Sequence, residues 1–400
     1  MERIEPIAPQ GVFQYKLPPS KSHMIRQLML ASKARDVTEI RFEGTPGEDI
    51  ISMSNCLEKM GVRINKSDQK WKVYPPKDGL IAPNETIYCG NSGTVARIMT
   101  AISANFDSDI TIDGDLSLQS RDNSTLSSCL RRMGCKISSD NFPCVVRGPI
   151  KPNNIEINAS ESSQPISALI LASIDFKKSM KLTISGEEVS RGYLKLTTKI
   201  AKKWGLETDF IDNTIILKGW KVETPKIVYI PSEMSLYPMA ILLDSLHDNL
   251  QVEVEAKDVD ELLFSTLEEL NNPIITKINL RDGSDIITPT AALMAISQGG
   301  EIFGAAHTKG KETNRIMMTS ELLEKFSLNC ISKIDGLILA GGDEPRKPDT
   351  PVETHMDHRL AMTAVILATY CGAEIMNTEI IRVTHPNFMK MINTLKSLQP

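Results

Sequence analysis

Cationic side chains recur beside polar phrases that open apolar stretches. Lys21 and Arg26 belong to PSKSHMIRQLMLA, and Arg97 belongs to GNSGTVARIMTAI. Lys311 and Arg315 lie in KGKETNR, Arg359 lies in DHRLAMTAVILAT, and Arg121 stands alone between the second and third phrases. If the apolar stretches are helices, each start carries free N–H groups and a partial positive charge. Such starts favour anions, phosphate above all. Lysine and arginine beside them add the donors that phosphate and carboxylate require. Taken singly, each cation could equally be solvated or ion-paired. Taken together, they point to anionic ligands.

The positioning elements form a repeat. The polar-then-apolar phrase occurs six times, with anchors at Ser20, Ser92, Ser163, Ser235, Asp285 and Asp357, spaced 72, 71, 72, 50 and 72 residues apart. Ser and Asp suit an N-cap, and Pro165 and Pro289 suit a first helical turn. A second phrase keeps the same register: LEKMGV at Leu57, LRRMGC at Leu130 and AKKWGL at Ala201, spaced 73 and 71. Gly61, Gly134 and Gly205 are expected to be left-handed residues that end helices. LEEL at Leu267, LEKF at Leu323 and LKSL at Leu395 continue this series without the glycine. The sequence therefore predicts six α/β units, each with a buried helix and an amphipathic helix. Strands are expected at Asp109–Asp113, Met180–Ser185 and Gln251–Glu255, where β-formers alternate. The short interval of 50 marks a trimmed unit.

Composition excludes several classes. A formal net charge of −5 and 24% charged residues argue against broad nucleic-acid binding. No apolar run approaches the roughly 20 residues of a membrane span. The first residues carry no apolar leader core, so a cytoplasmic chain is expected. Seven scattered cysteines without CxxC read as reduced thiols, and no His/Cys ligand cluster suggests a metal.

The phrases PSKS with Arg26, GNSGT with Arg97, SSQPISALIL, KGKETNRI and DHRLAM together resemble the 5-enolpyruvylshikimate-3-phosphate synthase family of enolpyruvyl transferases. The likeness runs in order from about Glu5 to the C-terminus. It implies an α/β fold of six βαβαββ repeats, three per domain around buried helices. Residues 13–229 would form one domain, mainly the shikimate-phosphate side. Residues 1–12 with 230–400 would form the other, mainly the phosphoenolpyruvate side, and the pair would close on substrate.

The implied reaction moves the enolpyruvyl group of phosphoenolpyruvate to the 5-hydroxyl of shikimate 3-phosphate, with release of phosphate. It needs no cofactor or metal, and a monomer is expected. By resemblance, Lys21 contacts both substrates. Ser22, Arg26, Ser162, Ser163, Gln164, Ser190 and Tyr193 bind shikimate 3-phosphate. Asn91, Gly93 and Arg121 clamp the phosphate of phosphoenolpyruvate, near Gln164. Asp285 contacts the acceptor hydroxyl as a candidate base, and Lys311 with Glu312 transfers protons. Arg315 and Arg359 grip the phosphoenolpyruvate carboxylate. Ser162, Ser163 and Asp285 also read as simple helix caps, and Glu312 as a salt-bridge partner.

The chain departs from the family pattern near its end. RVTHPNF places Val383 where relatives carry a phosphate-binding lysine. Arg382 is adjacent, but on a strand it would face the opposite side. A related transferase with another hydroxy-acid acceptor, or a non-catalytic binding protein, stays open at this point.

Overall fold

The computed structural model describes residues 1–208, 210–256, 264–270 and 276–399. All six expected apolar helices are present: Lys21–Ser32, Gly93–Ser103, Gln164–Ala172, Tyr237–Leu246, Ile287–Ile296 and His358–Cys371. Most of their residues are buried whichever face they lie on, and such helices are stable only inside a core. In Ile287–Ile296 every residue from Ile287 to Ala295 is buried. In His358–Cys371 the run from His358 to Thr369 is buried. No described helix is long and apolar enough to cross a membrane.

The chain divides into two compact units. One comprises Met1–Pro19, Gly44–Gly47 and Pro231–Pro400, the other Ser20–Glu43 and Glu48–Ile230. Residues 13–19, assigned by the sequence reading to the larger N-terminal segment, sit with the C-terminal residues. The reason is backbone pairing: strand Gly11–Lys16 runs parallel to Leu250–Glu255, with Phe13 opposite Val252. The excursion Gly44–Gly47 is held there by a close approach. A Cβ on Gly47 would lie 2.4 Å from the Val383 carbonyl oxygen, so only glycine fits.

Each of four sheets repeats one topology, a parallel pair extended by an antiparallel hairpin. In the unit Ser20–Glu43 with Glu48–Ile230, the sheets run Ile227–Tyr229, Thr38–Arg41, Lys70–Tyr74, Arg63–Ser67; Ile87–Tyr88, Ile110–Asp113, Cys144–Arg147, Lys136–Ile137; and Ile155–Asn158, Met180–Ser185, Thr214–Leu217, Phe210–Ile211. The first of these takes its edge strand from the far end of the unit, with Val228 opposite Ile40. In the other unit, Lys277–Asn279, Gly300–Phe303, Leu337–Leu339 and Cys330–Ser332 form the same arrangement. The two remaining repeats borrow strands from the N-terminus: Gly11–Lys16, and Glu2–Ile4 against Ala373–Ile375. The trimmed fourth repeat keeps only its parallel pair among the described residues.

The amphipathic helices end as expected. Gly61, Gly134 and Gly205 have φ of 91°, 82° and 102°. Val62, Cys135 and Leu206 each donate a backbone bond five residues back, to Leu57, Leu130 and Ala201. This is the long bond of a Schellman cap. The LEKF copy keeps the bond without glycine: Leu328 donates to Leu323, and Ser327 takes φ 62°.

The caps generate a graded prediction. Gly61→Ala should cost about 1 kcal/mol, from backbone strain alone, because its new methyl meets only side-chain carbons of Ile81 and Pro76, from 3.4 Å outward. Gly205→Ala should cost more, because its methyl would lie 2.8 Å from the Lys221 carbonyl oxygen. Ser327→Gly should raise stability. Urea unfolding followed by circular dichroism checks the order, and equal losses at Gly61 and Gly205 would refute it.

Candidate active site

The first group of site residues lies in the unit Ser20–Glu43 with Glu48–Ile230. Lys21 opens its helix, and its Nζ lies 3.0 Å from Asp49 Oδ2. Asp49 sits in the first turn of helix Glu48–Lys59, where a carboxylate suits the helix dipole. Arg26 is one turn further along and 1% exposed. Its Nε donates to Thr197 Oγ1 at 2.7 Å, and its Nη1 donates to the Ser22 carbonyl at 2.8 Å. Thr197 in turn lies 2.9 Å from Ser167 Oγ and 2.8 Å from the Tyr193 carbonyl. Buried hydroxyls and carbonyls thus hold the guanidinium.

The SSQ phrase forms a tight turn. Ser163 Oγ donates to the Ser190 carbonyl at 3.1 Å, and Ser162 Oγ accepts from Gln164 N at 3.1 Å. Ser190 has φ 55° and precedes helix Arg191–Lys203, which carries Tyr193 on its first turn. Ser163 therefore ties two helix starts rather than capping its own. Ser20 likewise makes no side-chain cap, whereas Ser92 accepts from Val95 N.

Asn91, Gly93, Arg121 and Gln164 gather in the same unit with Arg97, a cation that the sequence marked for anionic ligands without assigning it a substrate contact. Arg121 Nη2 donates to Asn91 Oδ1 at 2.7 Å and to Ser117 Oγ at 3.0 Å. Asn91 Nδ2 donates to Asp115 at 2.8 Å. Arg97 Nη1 donates to Gln164 Oε1 at 2.8 Å, and its Nη2 to the Asp122 carbonyl at 2.7 Å. A Cβ on Gly93 would lie 2.7 Å from Arg97 Nη1 and 3.3 Å from Arg121 Nη1. Two guanidinium groups therefore flank one glycine, an arrangement suited to an anion. The signal for Arg97 was its i+4 spacing from Gly93 on one helix face.

The second group lies in the other unit. Asp285 occupies the short 3-10 segment Ser284–Ile286 that leads into helix Ile287–Ile296. Arg315 opens helix Arg315–Lys325 and is 1% exposed. Its Nη1 donates to Asp285 Oδ1 at 2.8 Å, its Nε to Asp357 Oδ2 at 2.9 Å, and its Nη2 to Glu312 Oε2. Lys311 Nζ lies 3.5 Å from Asp285 Oδ1. Asp357 also caps its own helix, accepting from Arg359 N at 2.8 Å, and takes the Thr313 hydroxyl at 3.1 Å. Arg359 reaches Ser235, donating to its carbonyl at 2.9 Å and its Oγ at 2.6 Å.

Electrostatics follow from burial. Burial opposes the Arg315 charge, but Asp357, Glu312 and Asp285 outweigh it and hold its pKa well above the ordinary value. His307 is pushed down to about 4, first by burial and then by Lys311. It is therefore neutral at pH 7. Three carboxylates, an ammonium and two guanidinium groups can bind a carboxylate and move protons. No group of His, Cys, Asp and Glu among the described residues could hold a metal ion.

One expectation is corrected here. Arg382 is not on a strand but on the 3-10 helix Thr378–Val383. Arg382 is exposed there while Val383 is buried, so the two still face apart, by helical rather than strand geometry.

The charge network predicts a large stability effect. Arg315→Met should destabilise the protein by about 3–5 kcal/mol, because it leaves buried carboxylates without their cation. Guanidinium unfolding would measure it, and a loss under about 1 kcal/mol would contradict the network.

Known proteins are similar to this chain over nearly its whole length. The family model of EPSP synthase (3-phosphoshikimate 1-carboxyvinyltransferase) matches residues 13–236 and 234–392. A 3-phosphoshikimate 1-carboxyvinyltransferase from Methanothermobacter thermautotrophicus is 28% identical, covering 93% of both chains. One from Pseudomonas syringae pv. syringae is 28% identical over 94% of this chain and 93% of its own. Among solved structures, EPSP synthase from Acinetobacter baumannii matches with TM-score 0.78 and 21% identity, over 98% of this chain and 97% of that one. The enolpyruvyl transferase NikO from Streptomyces tendae matches with TM-score 0.72 and 11% identity, over 98% and 96%. These two likenesses establish a shared fold.

Proposed function

The chain belongs to the EPSP synthase family, and we propose that it transfers the enolpyruvyl group of phosphoenolpyruvate to the 5-hydroxyl of shikimate 3-phosphate, releasing phosphate. One observation carries the chemistry. Asp285, Glu312 and Lys311 are gathered about the buried Arg315. The reaction must take a proton from a hydroxyl and deliver one to the phosphoenolpyruvate methylene, which demands positioned acid and base groups.

The roles follow from charge and reach. Asp285 takes the acceptor proton, and Lys311 with Glu312 serves the methylene carbon. Addition, with a proton delivered to that carbon, leaves a tetrahedral intermediate; Lys311 with Glu312 then takes a proton back from the new methyl group as phosphate leaves, which restores the double bond. Arg315 and Arg359 hold the phosphoenolpyruvate carboxylate. Asn91, Arg121 and the Gly93 backbone hold its phosphate, and Arg97, on the other side of Gly93, joins them. Lys21 serves both substrates. Ser22, Arg26, Ser162, Ser163, Gln164, Ser190 and Tyr193 hold shikimate 3-phosphate. The fixed cations favour the departing phosphate in the transition state more than in the bound substrate. The unit Ser20–Glu43 with Glu48–Ile230 thus carries mainly shikimate-phosphate contacts, and the other carries the acid–base groups. The protein acts as a cytoplasmic monomer on these two substrates and without a cofactor.

Two measurements test this reading. Inorganic phosphate should be released from phosphoenolpyruvate only when shikimate 3-phosphate is present. Release only with a different hydroxy acid would indicate another acceptor, and no release with any acceptor would indicate a binding protein. Glu312→Gln should fold with an unchanged circular dichroism spectrum and lose about 100-fold or more in kcat. Near-normal turnover would remove Glu312 from proton transfer.

A further inference from the structure

The turn that delivers Asp357 runs against the preferences of its own residues. Asp357 N donates to the Thr354 carbonyl at 2.9 Å, closing a four-residue turn. Its two central residues, His355 and Met356, have φ of 50° and 56°. Positive φ at both central positions is the pattern of a type I′ turn, which favours Gly, Asn and Asp. Neither residue is one of these. A long side chain in this region is strained and persists only where its surroundings impose it.

Glu353 imposes it. Its Oε1 accepts from Thr354 N, His355 N and Asn377 Nδ2, each at 3.1 Å. Asn377 is itself left-handed, at φ 52°, and precedes the 3-10 helix Thr378–Val383. Thr354 is fully buried, and its hydroxyl donates to the Met376 carbonyl at 3.2 Å. One carboxylate oxygen therefore ties the turn to the segment that follows strand Ala373–Ile375. The turn's last residue is Asp357, which takes Arg315 Nε and Arg359 N. A shift there would move both arginines.

We propose that Glu353 is a positioning residue: it holds the left-handed turn His355–Met356, and through Asp357 it fixes Arg315 and the helix start that carries Arg359. Its kinetic consequence rests on the reaction proposed above, in which both arginines hold phosphoenolpyruvate. All three donors converge on one oxygen, so a neutral amide oxygen can replace it. The charge of Glu353 is dispensable, and the acceptor is not.

The test is a set of variants assayed with phosphoenolpyruvate and shikimate 3-phosphate, each also melted. Glu353→Ala should lower kcat/KM for phosphoenolpyruvate about tenfold or more, with KM for shikimate 3-phosphate within about threefold. Glu353→Gln should stay within about threefold of the parent in both. Adding Met356→Gly to Glu353→Ala should recover at least about threefold, because glycine adopts positive φ freely. In an Asp357→Asn background, Glu353→Ala should add little, as expected for residues acting in series. Unchanged kcat/KM in Glu353→Ala, or a loss that Met356→Gly does not recover, would overturn the proposal. If Glu353→Ala does not fold, the double variant decides: its folding supports the proposal and its failure overturns it. If the parent shows no turnover, the proposed function fails instead, and melting judges the turn. A larger gain from Met356→Gly in the Glu353→Ala background than in the parent supports the role, and equal gains reject it.

Discussion

The Arg315 guanidinium is buried, and a buried charge must be paired or the fold does not hold. Its three faces take three carboxylates from separate stretches of the chain: Asp285, Glu312 and Asp357. Asp285 precedes one buried helix and Asp357 caps another, so satisfying this cation fixes two helix starts at once. The groups proposed for acid–base work are thus set by an electrostatic demand of the core. Lys311 and Glu312 lie in sequence immediately before Arg315, and the same pairing places them.

The six buried helices gather most of their polar residues near their starts. Their bodies are largely apolar, and buried charges that they do hold, such as Arg26 and Arg97, lie within two turns of the start. Only the first turn has free N–H groups and neighbouring polar residues. Two serines that do not cap their own helices serve another. Ser163 bonds the carbonyl of Ser190, and Ser235 receives the Arg359 guanidinium. The repeat supplies similar starts six times, and each has been specialised by a few side chains.

The sequence was most informative where a local rule acts alone. The helix register, the polar starts and the left-handed Gly61, Gly134 and Gly205 follow from spacing and residue type. Non-local pairing left no such mark. Nothing in IVY at Ile227 announces that it will lie beside Thr38–Arg41, nor that Gly47 pins a four-residue excursion to Val383. Ser327 hid the fourth left-handed cap, because tertiary context overrode its intrinsic preference. The resemblance named the residues expected to meet substrate but passed over those that hold them. The pairings of Asp49 with Lys21 and of Asp357 with Arg315 became visible only as neighbours in space.

Gly93 shows how one position can carry two constraints. It is not among the glycines with positive φ, so backbone freedom does not explain it. Space does. Any side chain there would displace Arg97 Nη1, 2.7 Å from the Cβ position, and crowd Arg121 Nη1. Near the C-terminus, the position where the resemblance leads one to expect a cation holds the buried Val383, and exposed Arg382 faces away from it. In the proposed reaction, the phosphate of phosphoenolpyruvate then depends more heavily on the two arginines around Gly93. Charge-assisted hydrogen bonds from buried guanidinium groups are strong enough for that role, provided their geometry is fixed. The Gln164 amide, the Asn91 amide and the Asp122 carbonyl fix it. The absence of a side chain at Gly93 and the presence of those three partners are therefore one requirement: two cations must stand close together and keep their places.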